Sequence, residues 1–245
     1  LPRWAEAVNL APMSSTNSEL LALPGGHALV EWRRSARARR VSLRIDPRGG
    51  AVVVTLPPRT GRTAGMALLM DHAAWVTARL AALPGAIPFE DGAVVPLHGI
   101  ERCIRHFPDM RGPVRVEDGE ILVCGDPAFL QRRVADFFRA EARRRFADLV
   151  SRKAARAGVA ALRVTVKDTR SRWGSCAANR TLAFSWRLVM APPHVQDYVA
   201  AHEVAHLRHM NHGPRFWALV HDLTPHTERA KAWLRSHGPR LLRVG

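Results

Sequence analysis

His202-Glu203-Val204-Ala205-His206 is the stretch on which the reading of this chain turns. Pro192-Pro193 precedes it and Gly213-Pro214 follows it, so the residues between, about 193–210, are predicted to form one helix. Side chains four apart lie on one helix face, which lets the two imidazoles chelate a single ion. Glu203 is rotated by about 100° from His202. That places it off the ligand face but within reach of water beside the ion, where a general base acts. Imidazole ligands with one position left for water suit zinc, one ion per chain. The plainer alternative is a pair of hydrogen-bonded histidines in a helix core, since Val195, Tyr198 and Val199 share their face. Burying two imidazoles beside a carboxylate is costly unless something satisfies them, and a metal is the simplest partner.

A catalytic zinc site usually has three protein ligands. His209 shares the helix face but lies about 10 Å along the axis from His202, at ~1.5 Å per residue. His212 is better placed, because the Gly213-Pro214 break can turn the chain back towards the helix. Glu228 and Asp222, on the helices predicted at about 214–223 and 228–236, are the fallback ligands of a His-His-Glu type of set. Tyr198, one turn before His202, can hydrogen-bond an oxyanion or orient a ligand; a packed aromatic with a satisfied hydroxyl is the alternative. Trp173, in Trp173-Gly174-Ser175-Cys176, can shape a cleft floor, and Cys176 reads best as a buried structural thiol.

Upstream, Thr181–Met190 alternates Leu182, Phe184, Trp186, Leu188 and Met190 with smaller or more polar residues, as a strand does. Leu162, Val164 and Val166 alternate likewise. Asp126-Pro127 is a helix start, and the helix behind it runs to about Gly158 with seven arginines on its outer faces, a pattern read as solvated. Earlier still, Thr63–Leu83 reads as one amphipathic helix, while 27–56 and 94–123 read as short strands, with Asp46-Pro47-Arg48-Gly49-Gly50 as a hairpin turn. No internal repeat stands out. The expected organisation is a loose leader over 1–26, a β-rich N-terminal region with one helix over 27–125, and a catalytic region over 126–245, in an α+β fold.

Several of these stretches resemble one known family. Arg172-Trp173-Gly174-Ser175-Cys176, Phe184-Ser185-Trp186-Arg187-Leu188, Ala191-Pro192, Asp197-Tyr198-Val199, the His-Glu-x-x-His motif and Asn211-His212-Gly213-Pro214-Arg215-Phe216-Trp217 look like the YgjP-like metallopeptidases. The resemblance runs from about Val41 to Leu234. It implies a zincin-like, minigluzincin-type region, with His202, His206 and His212 as zinc ligands and Glu203 as catalytic base cleaving peptide or protein substrates. Substrate contacts at Tyr198, Trp173 and Ser185 would complete the site. Ser185 stands where the resemblance leads one to expect Asn. The segment from His212 to Phe216 also resembles the zinc-binding segment of SprT/Spartan-type DNA-associated proteases.

Composition sets the outer bounds. The formal net charge is +16, and all but three of the 37 basic residues are arginine. Such a balance fits either a nucleic-acid partner, with a Spartan-like DNA-dependent role or a structural or inactive zinc site as the rival function, or a compositional bias of the whole chain. No apolar run approaches the roughly 18 residues of a membrane span, so no membrane association is expected. Neither is a secretory signal. Three cysteines do not make a disulfide framework, which points to a reducing, cytoplasmic setting.

Overall fold

A computed structural model of the chain describes residues 17–169 and 172–245. The fold is α+β, with strands dominating the N-terminal part and helices the C-terminal part. Two compact units emerge. One holds the described residues up to Asp46 with Gly50–Ala82, and the other holds Pro47–Gly49 with Leu83–Gly245.

In the first unit, β1 (Asn17–Leu23), β2 (Gly26–Arg34), β3 (Ser42–Asp46) and β4 (Ala51–Leu56) form one sheet in the order β1-β2-β4-β3. The β1/β2 and β3/β4 pairs are antiparallel hairpins, and β2 and β4 join them in parallel. The leader expected over 1–26 is therefore ordered from Asn17 onwards; residues 1–16 lie outside the described residues. Pro24-Gly25, which reads as loose, is instead a two-residue turn with Gly25 at φ 90 and Leu23 paired to Gly26. Alternation in β1 sends Leu21 and Leu23 to the core while leaving Leu20 exposed. Helices α1 (Arg62–Asp71) and α2 (Ala73–Ala81) replace the single helix expected over 63–83. The chain breaks at His72, and Leu69, Ala73 and Val76 still reach one core with Val30, Val52 and Val54.

In the second unit, β5 (Val94–Leu97), β6 (Ile100–Phe107), β7 (Arg115–Glu117) and β8 (Glu120–Cys124) form a second four-stranded sheet in the order β5-β6-β8-β7. Its pairings are again antiparallel, parallel, antiparallel. The two sheets thus share one topology, a repeat with no counterpart in residue pattern. The boundary between units falls near residue 82, whereas the sequence suggests 125. The reason is packing: Val95, Leu97, Ile104, Ile121 and Val123 belong to the same core as the long helix that follows.

That helix, α3 (Leu130–Ala157), begins after a short 3-10 turn capped by Asp126, which accepts from Ala128 N at 2.8 Å. It ends at Gly158, which adopts the left-handed conformation that glycine tolerates best. Val134, Phe138, Ala142, Phe146 and Leu149 form its buried stripe. Half of its eight arginines are ion-paired among the described residues: Arg139 with Asp136, Arg144 with Glu141, Arg152 with Asp148 and Arg156 with Asp222. A three-stranded sheet follows, β10-β11-β9, built from β9 (Arg163–Lys167), β10 (Gly174–Cys176) and β11 (Thr181–Ser185). The strand expected over 181–190 stops at Ser185, and Trp186–Met190 is a 3-10 turn buried on every side. Alternation cannot distinguish these two, because Arg187, which reads as a polar exposed position, is fully buried and donates to Val244 O and Gly245 O at 3.0 Å each.

Helices α4 (Pro193–His206), α5 (Pro214–Leu223) and α6 (Thr227–Leu241) complete the unit. The helix α4 packs against α3, α5, α6 and β10 together. Buried Lys153 of α3 ties it in place, reaching Asp197 Oδ1 at 2.7 Å and Leu223 O at 2.9 Å, while Thr224 Oγ1 donates to Asp197 Oδ2 at 2.6 Å. Lys153 is buried but the Asp197 side chain is 26% exposed, so losing the pair costs less than the about 3–5 kcal/mol of a fully buried one and more than the about 0–1 kcal/mol of an exposed one. Lys153→Ala should therefore lower the denaturation midpoint more than Arg152→Ala, which breaks only the exposed pair with Asp148. Equal shifts in urea melts of the two variants would show that the Lys153 anchor contributes no more than a surface pair.

Candidate metal centre

The motif helix brings three imidazoles together. His202 and His206 project from α4 one turn apart with ring centroids at 4.9 Å, and His212 returns from the turn before α5 to 5.1 Å from one and 4.7 Å from the other. Each offers one nitrogen, and these three atoms lie within 4.8 Å of one another. Gly213 precedes the helix start at Pro214, and this break redirects the chain as the residue pattern suggests. Phe216, fully buried, packs its ring 5.0, 4.6 and 4.7 Å from the rings of His202, His206 and His212.

The donor chemistry fits a divalent metal. His202 Nε2 and His212 Nε2 face each other at 3.2 Å, an arrangement in which two neutral imidazoles must share either a proton or an ion. Burial, then the neighbouring His206 and His212, holds the His202 imidazolium down to a pKa of about 4, so its lone pair is free at neutral pH. Burial lowers His206 as well, opposed by its bond to the His209 carbonyl. In that bond, His206 Nδ1 donates to His209 O at 3.1 Å, which leaves Nε2 as the coordinating atom. His202 Nδ1 is buried without a partner among the described residues.

Glu203 is buried at 5% exposure and is not one of the converging groups. Burial pushes its carboxyl up to about 7, with Arg172 pulling the other way. No hydrogen bond to its carboxylate is made by any described residue. What fixes the side chain is packing against β10: a Cβ added to Gly174 would stand 2.5 Å from Glu203 Oε1 and 2.6 Å from Cγ.

The remaining expected residues divide. Tyr198 lies beside the cluster, its ring 5.9 Å from that of His202, and burial, with Glu228 and Glu203 nearby, pushes its hydroxyl up to about 12. Trp173 borders the position of Gly174 and packs against Gly238 of α6. Ser185 is fully buried at the end of β11, its hydroxyl unpartnered among the described residues, so it presents no surface to a substrate. Glu228 pairs with Lys231, Asp222 pairs with Arg156, and neither joins the imidazoles. His209 contributes only its carbonyl. Cys176 is raised by burial and by the nearby Glu203 carboxylate, and stands apart from the cluster. Two contributors escaped the sequence reading, Gly174 and Phe216, although both lie inside stretches quoted there. A glycine in an edge strand signals close approach only once its neighbour is known.

A family model described as YgjP-like, metallopeptidase domain, matches residues 39–237. The chain belongs to the YgjP-like metallopeptidase family. The match spans the three imidazoles, Glu203 and Gly174, and takes in β3 to β11. No curated protein and no solved structure matches the chain. Among the described residues of this YgjP-like protein, no helix is long and apolar enough to cross a membrane.

The contact between Gly174 and Glu203 makes a specific demand. Overpacking of this kind costs about 1–3 kcal/mol. Gly174→Ala should destabilise the wild-type chain by that order, and much less when Glu203 is already Ala, because the obstructing side chain is gone. A double-mutant cycle by chemical denaturation measures the coupling; additive losses would mean that the two side chains do not compete for space.

Proposed function

We propose that this metallopeptidase-family protein hydrolyses peptide bonds with one zinc ion held by His202, His206 and His212, and with Glu203 as general base. The observation that carries the reading is the convergence of three imidazole nitrogens within 4.8 Å beside a buried carboxylate that no described residue engages. A structural zinc site takes four protein ligands, whereas the group found among the described residues has three, which favours a site open to water and substrate. Zinc, when bound, supplies Lewis-acid chemistry, polarising a carbonyl and acidifying water.

The protein groups then divide the work. The Glu203 carboxylate takes a proton from the attacking water and hands it to the leaving amine nitrogen. Its burial suits both directions of transfer, since a carboxyl with a pKa of about 7 gives up and accepts a proton with little penalty at neutral pH. Gly174 keeps it in one position. Tyr198 stays protonated, so its hydroxyl is available to donate to a substrate carbonyl oxygen. Trp173 forms part of the floor. Peptide or protein substrates follow from the family, and the unpaired state of all three cysteines supports a reducing, cytoplasmic setting.

Purified protein should hold one zinc per chain by metal analysis. His202→Ala, His206→Ala and His212→Ala should each lose it, and Glu228→Ala should not. Glu203→Gln should keep zinc and fold but cut cleavage of an unstructured peptide library by ~10²–10⁴-fold. Zinc retained by His212→Ala and lost by Glu228→Ala would replace this ligand set. Undiminished cleavage by Glu203→Gln would remove Glu203 as the base.

A further inference from the structure

Arginine is spread along the whole chain, but its pairing is not uniform. On α3, Arg139, Arg144 and Arg152 face carboxylates one turn away, and Arg132 and Arg143 do not. Between Arg33 and Arg44 the situation is different. Arg33, Arg37, Arg39, Arg40 and Arg44 are exposed, and among the described residues none of their side chains has a hydrogen-bond or ion-pair partner. Arg34 alone is engaged, donating to Pro58 O at 2.8 Å and Thr60 O at 3.1 Å. A ribbon of unneutralised like charges repels itself unless an anion lies along it.

The ribbon leads into β3, an edge strand of its sheet. That strand supplies Leu43 to an open cup of about 380 Å³, whose other walls are Leu68, His72 and Trp75. Trp75 is 51% exposed, an unusual state for the largest apolar side chain. Trp75 and Arg79 lie four apart on α2, with His72 at the break before it, and Arg79 is also exposed and without a partner among the described residues. An exposed aromatic face flanked by free guanidinium groups is the arrangement that stacks a base and holds the phosphates on either side of it.

We propose that this face of the first unit binds single-stranded nucleic acid, with Arg37, Arg39, Arg40 and Arg79 along the phosphates and Trp75 stacking a base over the cup. An acidic peptide would use the arginines and leave the indole idle, whereas a lipid surface would also take up the indole and is distinguished by vesicle competition. A duplex keeps its bases stacked inside and out of reach of Trp75. The site lies on elements that contribute nothing to the imidazole cluster, so it stands or falls apart from the zinc reading.

The experiment is fluorescence anisotropy of a labelled oligodeoxythymidine titrated with the full chain over a range of salt concentrations. Binding should weaken with salt at a log–log slope of roughly −3 if the four arginines each neutralise one phosphate. Changing Arg37, Arg39, Arg40 and Arg79 together to Gln should reduce affinity by more than about tenfold and flatten that slope. Trp75→Leu should reduce affinity about 5–100-fold and leave the slope unchanged, which separates stacking from charge and does not depend on the fourfold variant folding. Arg132→Gln with Arg143→Gln on α3 should change neither. The proposal is overturned by absence of binding at low salt, by a duplex of the same length binding as tightly, by an unaffected Trp75→Leu, or by anionic vesicles competing as well as unlabelled oligonucleotide.

Discussion

Enclosure of α4 is the constraint from which the rest of the second unit follows. Neighbours lie on four sides of this helix, and Val195, Val199, Ala200, Ala201, Val204 and Ala205 fill the interior around it. A helix placed so deep must satisfy every polar group it carries. Gln196 does so through Ala191 O at 2.6 Å, Val189 O at 3.0 Å and the Arg145 guanidinium at 2.9 Å. Asp197 does so through Lys153 and Thr224. Further along, the rule is broken. Glu203 is buried without a hydrogen bond from any described residue, and His202 has one nitrogen orphaned and the other against a second imidazole. Polar groups are satisfied at one end of the helix and left unpartnered by the described residues at the other, where the proposed ion and water would engage them.

The same contrast explains what could be read from the residues. Strong periodicity reports burial on one face, and it found α3 and the β3/β4 hairpin. It fails where both faces are buried, as in Trp186–Met190, where a strand-like alternation describes a 3-10 turn enclosed on all sides. Arg187 shows the limit sharply: charge reads as exposure, yet here it is fully buried with backbone carbonyl partners more than fifty residues away in sequence. The shared topology of the two four-stranded sheets is invisible for a related reason. Strand order is decided by long-range pairing, and the residues of β1–β4 and β5–β8 follow no common pattern.

The imidazole cluster was more legible than the architecture. The i, i+4 histidines need only helix geometry, and the Gly213-Pro214 break announces the return of His212 without fixing it. Gly174 and Ser185 were not legible, because each depends on what lies opposite. Gly174 has its meaning from the Glu203 side chain that occupies the place of its missing Cβ. Ser185 reads as a polar group available to a substrate, and its complete burial removes it from the cleft.

Placement of His212 relative to the other two imidazoles is the most exacting requirement, since it comes from a different element. The helix α5 meets it by being held at both ends. At its start, Phe216 stands one turn beyond His212 and packs its buried ring on all three imidazoles, so the residue that shapes the cluster belongs to the segment that delivers the third member. At its end, Leu223 O and Thr224 Oγ1 converge on the Lys153 and Asp197 pair, and Asp197 sits on α4 itself, five residues before His202. Any slide of α5 along α4 would therefore break a buried polar contact at one end and an aromatic contact at the other. The turn at Gly213 then need not be stiff on its own account. Its geometry is fixed by the packing on either side, and the nitrogen of His212 is delivered to within 4.8 Å of those of His202 and His206 by the core rather than by the loop that carries it.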